Sequence, residues 1–213
     1  MTAMEFRANM ALRLLIPKFS GSKLCSRTNC KATMDAFGYH ALCCVGKQMF
    51  ECHEELTYAL HTLASDANLQ PRLKAPVQCL GLSWRKYITS DGRIVTAFRP
   101  ADILLNWDVP ETCFDAAVVS PIKKNMPVNF EPGAAASAKE DEKYCMHEDA
   151  CAAAGYGFRA FVVDAFGVLA PDAKSILKRL ASLLEVTKNY PEYLARQLVH
   201  RRISFAVHVG VAR

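Results

Sequence analysis

The segment Ser20 to Cys44, SGSKLCSRTNCKATMDAFGYHALCC, constrains the fold of this chain more than any other stretch. It is rich in Gly, Ser, Asn and Asp and shows no apolar periodicity, so a hydrophobic core cannot be what orders it. It does carry Cys25 and Cys30 four residues apart in a Cys-x4-Cys pair, then His40 and Cys44 as His-x3-Cys. Three thiolates and one imidazole make a soft tetrahedral set of the kind zinc prefers. Metal binding would supply the folding free energy that the loop's composition cannot. Cys43 competes with Cys44 for the fourth place, and the plainer alternative is a group of small buried thiols. The chain holds nine cysteines, an odd number, and no secretory signal is evident at its start. That combination points to reduced thiols in an intracellular setting rather than to a disulfide framework.

With 213 residues and 51% hydrophobic positions, the chain can bury a substantial core. Residues 3–16 space Met4, Ala8, Leu12 and Leu15 helically up to Pro17, and Lys47 to Leu69 repeats Phe50, Leu56, Leu60 and Leu63 in the same way. Past Pro71, short apolar stretches predict strands at Val77–Leu82, Arg93–Phe98, Ile103–Trp107 and Phe114–Val119, with Ser90-Asp91-Gly92 as a turn. Pro121 to Gly133 reads as a loop, Ala134 to Gly155 as an alanine-rich helix, Arg159 to Ala165 as a strand, and Asp172–Val186 and Pro191–Val209 as closing helices. Strands flanked by long helices give an α/β arrangement with a mixed sheet. The organisation expected is an N-terminal helix and metal-binding segment over 1–46, followed by a core over 47–213. No uncharged apolar run reaches the roughly 18 residues of a membrane span.

Three further groupings could carry chemistry. Asp102 and Asp115 each stand at or near the head of an apolar strand. Two adjacent strands joined by the Asp108–Glu111 turn would bring both carboxylates to one end of a sheet, where paired oxygens suit magnesium. The competing explanation is an aspartate capping a turn or pairing with Arg99. Lys139 and Lys143 share a face of the alanine-rich helix, within a charged run that could equally be a solvated surface. The C-terminal Arg196, His200, Arg201 and Arg202 could meet phosphates. Residues 171–213 hold eight Lys or Arg against three Asp or Glu, a surplus equal to the whole net charge of +5. His53, His61, His147 and His208 lie singly and read as structural; neither a nucleophile triad nor a phosphate-binding glycine loop is present.

Taken in order, MDAFGYHALCC resembles the zinc-knuckle region, and RPADILL, FDAAVVSP, KEDEKYCMHEDAC and FRAFVVDAFG resemble successive blocks, of the restriction-enzyme-like endonuclease domain found at the C-terminal end of site-specific non-LTR retrotransposon polyproteins, downstream of the reverse transcriptase. The similarity runs from about Arg13 to the end. It implies a restriction-endonuclease-like core with a mixed central sheet flanked by helices, preceded by a zinc knuckle. It further implies magnesium-dependent nicking of DNA in the nucleus. In that reading Asp102 and Asp115 match the two acids on neighbouring strands, and Lys143 matches the lysine on the following helix better than Lys139 does. Asp164 falls where the family carries another acid. Arg99, His53, Arg201 and Arg202 become the candidates for DNA contact, with RNA as a further ligand and a reverse transcriptase module on another chain as a partner. The chain also departs from the pattern: Cys52-His53 stands where an Arg-His pair is usual, and Lys74-Ala75-Pro76 stands where an upstream glutamate is expected. The alternatives are a non-catalytic zinc-containing nucleic-acid-binding module and an inactive relic of a mobile element.

Overall fold

The computed structural model describes residues 2–14, 16–21, 23–25, 30–44, 47–75, 86–88, 94–96, 101–122 and 131–212. The expected strand Val77–Leu82, the turn Ser90-Asp91-Gly92 and Arg99 lie outside them.

Helix α1 (Ala3–Arg13) opens with a reciprocal cap. Thr2 accepts the Glu5 N–H through its hydroxyl, and the Glu5 side chain accepts the Thr2 N–H. Strands β1 (Lys23–Leu24) and β2 (Thr33–Met34) form a small antiparallel pair, followed by the one-turn helix α2 (His40–Cys43). Helix α3 (Lys47–Asp66) buries Leu56, Leu60 and Leu63 completely or nearly so, at the three- and four-residue spacing seen in the sequence. Phe50, which shares that spacing, is instead exposed.

The central sheet has the order β3-β6-β7-β8, from β3 (Arg72–Leu73), β6 (Ile103–Leu105), β7 (Thr112–Val119) and β8 (Gly157–Asp164). The first three strands are antiparallel neighbours, and β8 lies parallel to β7. A parallel neighbour requires a crossover, which α4 (Ala134–Ala153) provides. That helix stops where Gly155 adopts φ +80° and the Tyr156 N–H turns back to the Cys151 carbonyl, a glycine C-terminus as the sequence predicts. A separate pair, β4 (Lys86–Ile88) with β5 (Ile94–Thr96), lies outside the sheet. Helices α5 (Pro171–Lys188) and α6 (Glu192–Ala212) complete the chain, so the mixed α/β expectation holds.

Side chains alternate across the sheet into two cores. On one face Ile103, Leu105, Phe114, Ala116, Val118, Phe161 and Val163 pack with α3, α5 and α6; Leu12 of α1 and Leu42 of α2 join them. On the other, Leu104, Cys113, Ala117, Ala160 and Val162 meet Ala136 and Cys151 of α4. Asp115 occupies the polar break in this second row, between Cys113 and Ala117. No helix among the described residues is long and apolar enough to cross a membrane.

Candidate functional site

Two polar sites emerge. In the first, Cys25 from the end of β1, Cys30, His40 of α2 and Cys44 bring their ligand atoms within 4.8 Å of one another. Cys25 Sγ and Cys44 Sγ are 3.8 Å apart, and Cys30 Sγ lies 3.3 Å from His40 Nε2. A tetrahedron with metal–sulfur bonds of about 2.3 Å has edges of about 3.8 Å, so the spacing fits a metal ion such as zinc. The turn that presents His40 is built by Asp35. Its Oδ1 accepts the N–H groups of Phe37 and Tyr39, and its Oδ2 that of His40 at 2.7 Å. Burial alone would raise the Asp35 carboxyl, but these backbone donors outweigh it and hold the group below its ordinary value. Cys44 joins the cluster among the described side chains, the Cys43 side chain lying outside them, and Asp35 is a supporting residue that spacing did not reveal.

The second site lies at the head of β6 and the middle of β7. Asp102 precedes β6, and its Oδ2 accepts the Ala116 N–H at 2.8 Å and meets His53 Nε2 of α3 at 2.9 Å. Asp115 projects from β7 toward α4, where Lys143 Nζ lies 2.7 Å and His147 Nε2 3.3 Å from its Oδ2. The two carboxylates are within hydrogen-bonding reach of each other. Lys143 and His147 are four residues apart and so face the strand from successive turns of one helix. The His147 ring rests against Phe158 of β8, with centroids 5.6 Å apart.

The charges in this cluster are unequal in cost. Burial pushes the Asp115 carboxyl up to about 6, with Lys143 opposing and the neighbouring Asp102 reinforcing the rise. Asp102 is held below its ordinary value despite burial, because His53 and the Ala116 N–H stabilise its anion. His53 is raised in turn by its hydrogen bond to Asp102. His147 is pushed down to about 4, first by burial and then by Lys143. Asp115 Oδ2 is enclosed, with the Lys143 ammonium 2.7 Å and His147 Nε2 3.3 Å from it. A buried anionic oxygen in that position, beside a second carboxylate, fits an oxygen-seeking dication.

The remaining sequence candidates fall elsewhere. Lys139 pairs with Glu142 on the outer side of α4, so Lys143 is the lysine at the carboxylates. Asp164 sits opposite Val119, four residues along the register from the Asp115–Ala160 pair, which is roughly 13 Å of strand. Its Oδ1 accepts the N–H groups of Phe166 and Val168, closing the turn after β8, while Arg13 supplies a nearby positive charge. Arg202 is held by Asp66 at 2.6 Å, whereas Arg201 is exposed and Arg196 pairs with Glu192 along its own helix. Glu140, within the charged run of α4, is buried and accepts the Asp172 N–H at the start of α5.

His147 and Glu140 are the residues that sequence reading missed. The signal for the first was present in the Lys143-x3-His147-x3-Cys151 spacing, which puts all three on one face of the helix. The chain matches no known family model, and no curated protein matches it.

Proposed function

We propose that this chain is a metal-dependent DNA endonuclease-like domain, in which Asp102 and Asp115 hold a divalent cation such as magnesium and Lys143 assists. The observation that carries the reading is the convergence of these three side chains from the residue before β6, from β7 and from the following helix. The acids stand on neighbouring strands and the lysine on the next helix, as the resemblance to retrotransposon endonucleases requires. The restriction-endonuclease-like fold belongs to the same proposal, supported by the mixed sheet with helices on both faces.

The bound cation would neutralise charge on a scissile phosphate and favour hydroxide over water at its surface. The chain's own residues prepare for this. His53 and the Ala116 N–H fix the Asp102 carboxylate, so no rotamer freedom is lost when it binds. Lys143, with its side chain 19% exposed, can move its ammonium from Asp115 to an entering phosphate oxygen. Among the described candidates, the exposed Arg201 and the partly exposed His53 are placed to meet the DNA backbone. The Cys25/Cys30/His40/Cys44 group would hold structural zinc, and a reverse transcriptase module would be supplied by another chain.

The test is nicking of supercoiled plasmid in magnesium by the zinc-loaded protein. Asp102→Asn should lower the rate at least about 100-fold while zinc content and melting temperature persist. Undiminished nicking in that variant would reject the assignment. Salt-sensitive DNA binding without any nicking, unaltered by Asp102→Asn, would favour the non-catalytic binding module. Absence of both would favour the relic.

A further inference from the structure

We infer that the outward face of α1 is the contact surface for a second copy of this chain, through a two-fold antiparallel pairing of the helix centred on Met10. Helix α1 is turned the opposite way from an ordinary surface helix, whose polar side meets water. Glu5, Asn9 and Arg13, at four-residue intervals, lie on its buried or half-buried side. Asn9 donates from Nδ2 to the His208 carbonyl of α6, and Arg13 stands beside Asp164. One residue further on, Phe6, Met10 and Leu14 repeat the same interval along the opposite side, all three exposed. The inner side is committed by the Asn9 hydrogen bond and by Leu12 in the core, so α1 cannot roll its apolar side inward.

Two properties of this face select a second copy as its occupant. The first is area. Met4 is 78% exposed, Phe6 51%, Met10 36%, Leu14 60% and Ile16 49%. At about 200 Å² for a fully exposed side chain of this size, the five hold roughly 550 Å² of open surface per copy. Two copies thus cover about 1,100 Å², above the roughly 1,000 Å² that a specific interface needs and below the roughly 1,600 Å² of a typical tight one. The second property is self-complementarity. The five positions are symmetric about Met10, so a two-fold axis there sets Phe6 against Leu14 of the partner subunit, Met4 against Ile16 of the partner subunit, and Met10 against its own counterpart. An isologous contact requires such a patch, because each surface must accept itself. Arg7, the one fully exposed charge on α1, keeps its guanidinium in water at the rim while its stem covers apolar surface. Burying this face is favourable because it removes apolar side chains from water without desolvating an acid.

The experiment is sedimentation velocity on the full, zinc-loaded chain across a dilution series. Wild type should pass from monomer to dimer as its concentration rises toward about 100 µM, and go no further, since a two-fold contact closes on itself. Phe6→Glu and Met10→Glu should each weaken dimerisation at least about 100-fold, because two copies bring like charges together in a desolvated patch. Tyr58→Glu, at an exposed aromatic residue of α3, should leave it unchanged. Zinc content and melting temperature of the monomer confirm that the variants fold, and Leu14→Ser carries the test should the glutamate variants not. Benzoylphenylalanine placed at Met10 in a mixture of nitrogen-14 and nitrogen-15 chains should crosslink to α1 of the other chain, read by mass spectrometry. A wild type that stays monomeric throughout would overturn the proposal. So would a dimer that survives in the folded Phe6→Glu and Met10→Glu variants, which would put the contact elsewhere. Monomer that instead sediments with phosphatidylserine–phosphatidylcholine vesicles in a Phe6-dependent way would overturn it and give the face to a lipid surface.

Discussion

Asp115 shows how one side chain can report on its whole surroundings. Its carboxyl titrates at about 6 instead of 3.8 because burial penalises the anion more than Lys143 favours it. A raised folded-state value means that the native protein binds this proton more tightly than the unfolded chain does. The resulting stability is present below the ordinary carboxylate range and is lost as pH rises through about 6. Asp115→Asn removes that dependence, so between pH 4 and 6 the variant should gain stability relative to wild type by up to roughly 3 kcal/mol, read from urea midpoints across the range. His147 has the opposite sign. Pushed down to about 4, it contributes stability that is present above its ordinary value of 6.5 and is lost as pH falls through about 4. Lys143→Met should drive the Asp115 carboxyl above 6, measurable by carbon-detected NMR titration, since the ammonium is the group that opposes burial. The meeting of Asp102 and Asp115 was foreshadowed by two acids near the heads of neighbouring strands, whereas Lys143 was set above Lys139 only by the family resemblance. His147 shares a helix face with Lys143 and Cys151 in the sequence, but that this face meets β7 becomes clear only once the helix phase against the strand is known.

At the scale of elements, the long helices and strands β5 to β8 were readable from periodicity and apolar runs, while α2 and β1 to β4 were not. Segments of two or three residues carry no measurable alternation. The charged run on α4 misled in a different way. Its mixed signs suggest a solvated face, yet Glu140 turns inward and its Oε2 accepts the Asp172 N–H. Helix α5 has Ala170 at its N-cap and no local side-chain cap, so Glu140 supplies that function from another helix. Tyr144 and Arg159 meet the Asp172 carboxylate at the same junction, tying α4, β8 and α5 together. Glu140→Ala should cost about 1 kcal/mol or more in chemical denaturation, as loss of a helix cap does. A second contact of this scale is the crossing of α3 and α6. A β-carbon added at Gly210 would stand 2.6 Å from the Cys52 Cα, too close for backbone to tolerate. Gly210→Ala should therefore destabilise the protein by about 1 to 3 kcal/mol with little change in the denaturant slope.

Over the whole molecule, the N-terminal segment and the α/β core share one hydrophobic interior. Leu42, between His40 and Cys44, is buried in the same cluster as Leu56, Phe114 and Val207, and Tyr39 packs against it. Removal of a bound metal by a chelator should consequently lower the melting temperature of the entire protein instead of loosening the segment alone. Calorimetry would reveal this as a displaced single transition, with Cys44→Ser reproducing the shift. The composition of Ser20–Cys44 pointed to such a dependence, but not to its reach, because Leu42 acquires a partner only when α2 docks. The carboxylate site is a joint of the same kind: His53 comes from the helix layer on one side of the sheet and His147 from the layer on the other. Their two imidazole resonances thus act as a natural gauge, one for each flank, and a solution in which only one of them moves would locate which flank has come unseated.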